Sequence, residues 1–256
     1  MNEALAELVR QHDPDRFLTA LFAPPARRDA LLALYAFNHE LARAREVVSE
    51  PPLALIRLQW WREVVEGEAR RHEVATPLAA AIDAGMLSRD DLLAMIAARE
   101  VEADPSIATL TEWRDYVLGA FGGVAVAAGR ALGAPEPEVL RPFGAAYGVA
   151  GLVRGFRGLA ARGRCLLPEE VLRGHDLSPE AAIAAPDAPA ARAALHAMVQ
   201  EGRALLAQAD RRRVPRSAIA AALPAVLARR DLARWSAPPA PRGIGDRLAV
   251  MFAALW

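Results

Sequence analysis

The chain has 256 residues, 54% of them hydrophobic and 24% charged, and its formal net charge is +0. That length and apolar content are enough for one sizeable core in a single domain over 1–256, and a balanced charge excludes the overall field by which a basic protein gathers nucleic acid. Every basic side chain is an arginine, a permanent planar cation suited to phosphate and carboxylate.

The lone cysteine, Cys165, excludes an intrachain disulfide and fits a reducing cytosol. The first residues carry Glu3 and Glu7 and lack the basic region and apolar run of an export signal. The longest uncharged run, 116–129, falls short of the roughly 20 residues a membrane-spanning helix needs. The expected location is cytoplasmic, or peripheral on the inner membrane.

In chain order, residues 25–50 place Leu31, Leu34, Tyr35, Phe37, Leu41 and Val48 at three- and four-residue intervals, a helix that Pro51 and Pro52 are expected to stop. A second helix is expected over 53–71. Ser88 caps a third that runs to Asp104, and Thr109 or Thr111 opens a fourth through Gly133. Residues 135–162 continue the pattern. The stretches 177–189 and 235–243 read as Pro-rich connections before two further helices. No useful segment alternates with period two and no solenoid repeat recurs, so the fold class is all-α, one helical bundle.

Familiar catalytic signatures are missing. There is no Walker-type phosphate loop, and the stretch His39-Glu40-Leu41-Ala42-Arg43 has an arginine where a zinc protease would carry its second histidine. His12, His72, His175 and His196 are scattered and Cys165 has no partner at ligand spacing, so no metal site is expected. Ser49, Ser106, Ser178, Ser217 and Ser236 sit at helix ends or loops, where capping is their expected role.

One stretch stands out. Residues 147–168 carry Arg154, Arg157, Arg162 and Arg164 and no acid before Glu169. They read as a glycine-interrupted helix running into Arg162-Gly163-Arg164-Cys165-Leu166-Leu167-Pro168. This segment resembles the second conserved block of the squalene and phytoene synthase family, N-I-L-R-D-V-x-E-D-x-x-R-G-R-x-Y-L-P, matching at Arg154, Arg162, Gly163, Arg164, Leu167 and Pro168. Residues 17–63 resemble the first block, in which an R-x-A-x-x-A-L-Y-A-F helix runs into D-D-x-x-D. The two blocks and the segment between them cover about residues 14 to 177. The resemblance implies a single all-α domain of isoprenoid synthase type, with helices around a central cavity.

In that family each Asp-rich block holds Mg²⁺ ions that bind prenyl diphosphates. Here the aligned positions are Ala42, Arg43 and Glu46 in the first block, and Gly155, Gly158 and Leu159 in the second. An arginine in place of an acid reverses a charge interaction worth roughly 4 kcal/mol at 4 Å and an effective dielectric of 20. Mg²⁺-dependent coupling is therefore expected to be absent, with no catalytic residue, no metal and no cofactor. The eroded pattern is similar to the branch that contains the mitochondrial respiratory complex I assembly factor and its bacterial relatives. That implies a non-catalytic assembly or maturation role beside a membrane-complex subunit or assembly protein, with no nucleic acid. The alternative is an active head-to-head prenyl transferase using Glu46, Glu102 and Mg²⁺.

On this resemblance Arg154, Arg157, Arg162 and Arg164, with Arg57 and Arg62, are expected to line a cavity mouth that holds an isoprenoid or anionic lipid phosphate. The competing reading pairs them with Glu46, Glu63, Glu100 and Glu102 across the bundle. Tyr35, Phe37, Trp60 and Tyr147 are candidates for the cavity wall or for the core. Trp60 and Trp61 are adjacent and cannot face the same way, and the core place is assigned to Trp60. The apolar last segment, 243–256, is expected to dock on the bundle or on a bilayer surface, the latter a peripheral membrane contact.

Overall fold

A computed structural model of the chain describes residues 2–46 and 51–255. Asn2 caps α1 (Glu3–His12) by accepting the Leu5 N–H at 3.2 Å, and Asp13 caps α2 (Pro14–Ala20) by accepting the Arg16 N–H at 3.1 Å. The long α3 (Pro25–Glu46) follows. Pro51 and Pro52 begin α4 (Pro51–Glu66), because proline's missing N–H is not needed in a first turn. Val48, assigned to the preceding helix, lies outside the described residues. The helix expected to reach residue 71 ends at Glu66, where Gly67 adopts φ +119°.

Next come α5 (Ala75–Asp83) and α6 (Arg89–Arg99), the latter capped by Ser88 as expected. Thr109, not Thr111, opens α7 (Leu110–Val117) through a capping box with Glu112. The helix expected to run on to Gly133 is interrupted by a π turn at Leu118–Gly122 before α8 (Gly123–Ala131). A 3₁₀ turn leads into α9 (Arg141–Ala161), and α10 (Glu169–Arg173) follows the Arg162-Gly163-Arg164 turn. Residues 177–189 are not simply a connection: Ser178 caps α11 (Pro179–Ala184). The remaining helices are α12 (Pro189–Ala209), α13 (Ile219–Ala222), α14 (Pro224–Ala233) and α15 (Ile244–Leu255). Residues 235–243 form the expected non-helical strap. Among the described residues the one bridge of β type pairs Ile107 with Pro168.

The helices surround α9, which packs on α12, α14, α8 and the π turn. Close approach is possible because a Cβ at Gly148 would lie 2.1 Å from the Phe121 ring, so only glycine fits there. One core cluster lies between α1, α3, α4, α5, α6 and α8, and a second between α7, α9, α12 and α14. The core place expected for Trp60 is taken by Trp61. It is 2% exposed and meets Phe37 edge-on with centroids 5.4 Å apart, while Trp60 is half-buried. The Trp113 indole donates to the Leu166 carbonyl at 2.9 Å, tying α7 to the turn after α9. No helix among the described residues is long and apolar enough to cross a membrane.

Candidate functional site

Between α3 and α9 lies a cleft of about 420 Å³. Five of the six eroded motif positions line it: Ala42 and Glu46 from α3, and Gly155, Gly158 and Leu159 from α9. Spacings of three and four residues put each set on one helical face. The sixth, Arg43, turns away from the cleft and donates to Glu40 at 3.1 Å, so it does not oppose a cation there. Nothing stands within 4 Å of the position a Cβ would take at Gly155 or Gly158.

The charged lining is assembled from other elements. Arg16 on α2 is buried, donates to Asp13 at 2.8 Å, and lies over the rings of Tyr147 at 4.8 Å and Tyr35 at 5.7 Å. At the floor, buried Glu102 accepts Arg99 at 2.5 Å, the Tyr116 hydroxyl at 2.7 Å and Arg164 at 3.3 Å. Arg99 also donates to the Asn38 carboxamide oxygen at 3.3 Å and covers the Phe121 ring at 4.7 Å, while its Nε finds no partner. Burial alone would raise the Glu102 carboxyl, but Arg99 and Arg164 outweigh it and hold it below the usual carboxylate range. Tyr116 is pushed well above the usual phenol range by burial and by Glu102. His39 stacks on His12 with ring centroids 4.4 Å apart. Burial and the neighbouring His12 lower its pKa, and its Nε2 has no partner.

These residues do not fit a Mg²⁺ cluster. Such an ion takes about six oxygen ligands and relies on unneutralised carboxylates. Glu46 is paired with Arg162 at 3.1 Å, Glu102 with two arginines and Asp13 with Arg16. No group of three His, Cys, Asp or Glu among the described residues is placed to hold a metal ion.

Of the six arginines grouped from the sequence, Arg162 and Arg164 line this cleft and the other four do not. Arg57 sits 3.8 Å from Glu40 beside Trp60, Trp61 and His72, and Arg62 pairs with Glu100. Arg154 and Arg157 leave α9 on another face, toward the Ala240 carbonyl at 2.9 Å and Asp187 at 2.7 Å. The competing ion-pair reading describes Glu46, Glu100 and Glu102, whereas Glu63 pairs with Arg70 at 3.1 Å. Tyr35 and Phe37 are core residues, and the Tyr147 hydroxyl donates to Asp15 at 3.1 Å; none of the three lines the cleft. Sequence reasoning missed Arg16, Asn38, Arg99 and Tyr116. The signal available for Arg99 was its i,i+3 spacing from Glu102 at the end of a helix.

A model of squalene/phytoene synthases matches residues 9–250. The chain belongs to the squalene/phytoene synthase family. Its fold is that of family structures: a squalene synthase from Alicyclobacillus acidocaldarius superposes with TM-score 0.74 at 20% identity, covering 92% of this chain and 94% of the other. A dehydrosqualene synthase in complex with ligand gives TM-score 0.78 at 13% identity, over 98% and 94% of the two chains. In sequence this family member is 26% identical over 182 residues to human "NADH dehydrogenase (ubiquinone) complex I, assembly factor 6", and 28% identical over 182 residues to the bovine protein of that name. Each match takes 68% of this chain and 55% of the relative, so the chain spans about half the length of those proteins.

Proposed function

We propose that this squalene/phytoene synthase family member is a non-catalytic assembly or maturation factor for a membrane respiratory complex. One observation carries the reading: each carboxylate that lines the α3–α9 cleft is already neutralised by an arginine, where prenyl coupling would need acids available to a divalent cation. The names of its sequence relatives support the same role and indicate a complex that oxidises NADH. The cleft retains room and cationic lining for an isoprenoid or anionic lipid held without metal. The outward face of α15, with Ile244, Leu248, Met251, Phe252 and Leu255 exposed, supports peripheral contact with the membrane that carries the complex.

Two measurements test the role. Purified protein is incubated with farnesyl and geranylgeranyl diphosphates plus Mg²⁺ or Mn²⁺, and no coupled product is expected. Deletion of its gene is expected to lower the amount of assembled NADH-oxidising complex on native gels of host membranes. Prenyl coupling that disappears in Glu46→Ala, with the respiratory complex at its normal level in the deletion strain, would overturn the reading in favour of an active transferase.

A further inference from the structure

On the face of α9 turned away from the cleft is a second cavity of about 200 Å³, enclosed by α9, α12, α14 and the 235–243 strap. The strap is held at its start by Trp235, whose ring stacks on His196 with centroids 5.4 Å apart, and near its close by two arginines. Arg154 donates to the Ala240 carbonyl at 2.9 Å, and Arg242 bridges Asp15 at 2.6 Å and Asp231 at 2.5 Å. Pro238, Pro239 and Pro241 restrict the backbone between, so the wall is formed before any ligand arrives.

The charges on the lining do not cancel. Arg242 is matched by Asp231, Arg234 by Asp246 at 2.8 Å and Arg157 by Asp187 at 2.7 Å. Two guanidinium groups are left over. Arg154 has a neutral carbonyl as its partner, and Arg192 has no carboxylate within ion-pair distance among the described residues. The Arg192 guanidinium lies 5.7 Å from the centroid of the Trp235 ring, and that ring stacks on His196 at 5.4 Å. A guanidinium held by a ring face still has its N–H edges available, and those edges suit the paired oxygens of a phosphate. Trp235, Val153 and Leu195 supply an apolar wall beside it.

We propose that this cavity binds a phosphate monoester. Two uncompensated guanidinium groups match a dianion, where a single carboxylate would leave one cation unanswered, and Trp235 takes the organic part of the ligand. The site lies on the opposite face of α9 from the cleft and stands independently of the assembly role. Its ester is either a soluble metabolite or a lipid headgroup.

The parent chain is titrated by calorimetry with glycerol 3-phosphate. Separately it is floated with phosphatidylcholine vesicles that contain either phosphatidic acid, a monoester, or phosphatidylglycerol, a diester. Saturable binding of glycerol 3-phosphate assigns a soluble ligand, and binding that prefers phosphatidic acid to phosphatidylglycerol vesicles assigns a headgroup. In either case Arg192→Gln and Arg154→Gln are each expected to weaken binding about tenfold or more, with Arg173→Gln, an exposed arginine of α10 that lines neither cavity, unchanged. Arg192 is exposed, so its variant is expected to melt like the parent. The site is overturned if no probe binds, if both vesicle types bind equally and glycerol 3-phosphate does not bind, if Arg192→Gln binds like the parent, or if Arg173→Gln weakens binding as much.

Discussion

Tyr116 donates its hydroxyl to Glu102 at 2.7 Å under the floor of the cleft, where both side chains are buried. The same carboxylate neutralises Arg99 and Arg164. Without it two guanidinium groups would face each other with no anion between them. Glu102→Gln is expected to lower the unfolding free energy by about 3–5 kcal/mol, the usual cost of leaving a buried charge unpaired. Tyr116→Phe removes one hydrogen bond to a charged group and is expected to cost about 1.5–3 kcal/mol. Urea titrations of the two variants check the ranking, and a Glu102 variant as stable as the Tyr116 one would refute it.

The glycines of α9 separate into two kinds. At Gly148 a methyl group would meet the Phe121 ring at 2.1 Å, whereas at Gly151, Gly155 and Gly158 it would meet nothing within 4 Å. Gly148→Ala is expected to destabilise by about 1–3 kcal/mol through overpacking. Gly155→Ala is expected to stabilise by about 0.5–1 kcal/mol, since alanine loses less backbone entropy in a helix. Melting temperatures should therefore move in opposite directions.

Acids returned to the cleft should restore metal affinity. In the triple variant Ala42→Asp, Gly155→Asp, Leu159→Asp, three carboxylates line the cleft from α3 and α9, with open space at Gly155. Calorimetry with Mg²⁺ alone is expected to give saturable heat for this variant and none for the parent. Saturable heat from the parent would show that its arginine-paired acids still bind the cation, and the non-catalytic role would lose its main support.

Asp246 ties the strap and α15 to α14. It accepts Arg230 at 2.5 Å, Arg234 at 2.8 Å and the Gly243 N–H at 3.2 Å. Burial pushes its carboxyl up, the arginines outweigh burial, and the pKa falls to about 2. A carboxyl held below its unfolded value of about 3.9 contributes its full stability above that pH and loses it as the pH falls toward 2. The arginines are partly exposed, which limits the contribution to roughly 1–2 kcal/mol. Asp246→Asn is expected to destabilise the protein at neutral pH and to reduce the loss of stability between about pH 4 and pH 2. A parent and variant whose melting temperatures differ by the same amount across that range would disprove the linkage.

The exposed side of α15 is expected to carry the membrane contact. Leu248 and Phe252 are 42% and 60% exposed, while Val250 on the opposite side is buried against α14. Leu248→Asp with Phe252→Asp should leave the melting temperature near that of the parent and abolish flotation with phosphatidylglycerol vesicles. Flotation unchanged in the double variant would remove α15 from the proposed membrane contact.

Much of this protein was legible in local patterns. Apolar spacing located most of the longer helices, and Ser88 marked a true start because a cap is a contact three residues long. Erosion of the Asp-rich motifs was equally legible, since replacing an acid with glycine or leucine removes a ligand in any fold. The misreadings came where a local signal has two meanings. The second helix starts at Pro51 and not at residue 53, since proline can open a helix as well as stop one, and Ser178-Pro179 could be a loop or a capped start. The π turn at Leu118–Gly122 had no periodic signature because its extra residue shows only against neighbouring turns.

The sequence by itself determined the all-α class, the family blocks and the shortage of acids at the motif positions, all properties of short segments and of charge counts. Only the tertiary structure decided how the arginines are used. Successive residues on a helix point about 100° apart, so Gly155 and Gly158 open on the cleft while Arg154 and Arg157 meet the strap behind it. The partners that distinguish those two faces, Glu102 and Arg99 on one and Trp235 and Arg192 on the other, come from distant parts of the chain. Packing, and no pattern within any one helix, brings them to α9.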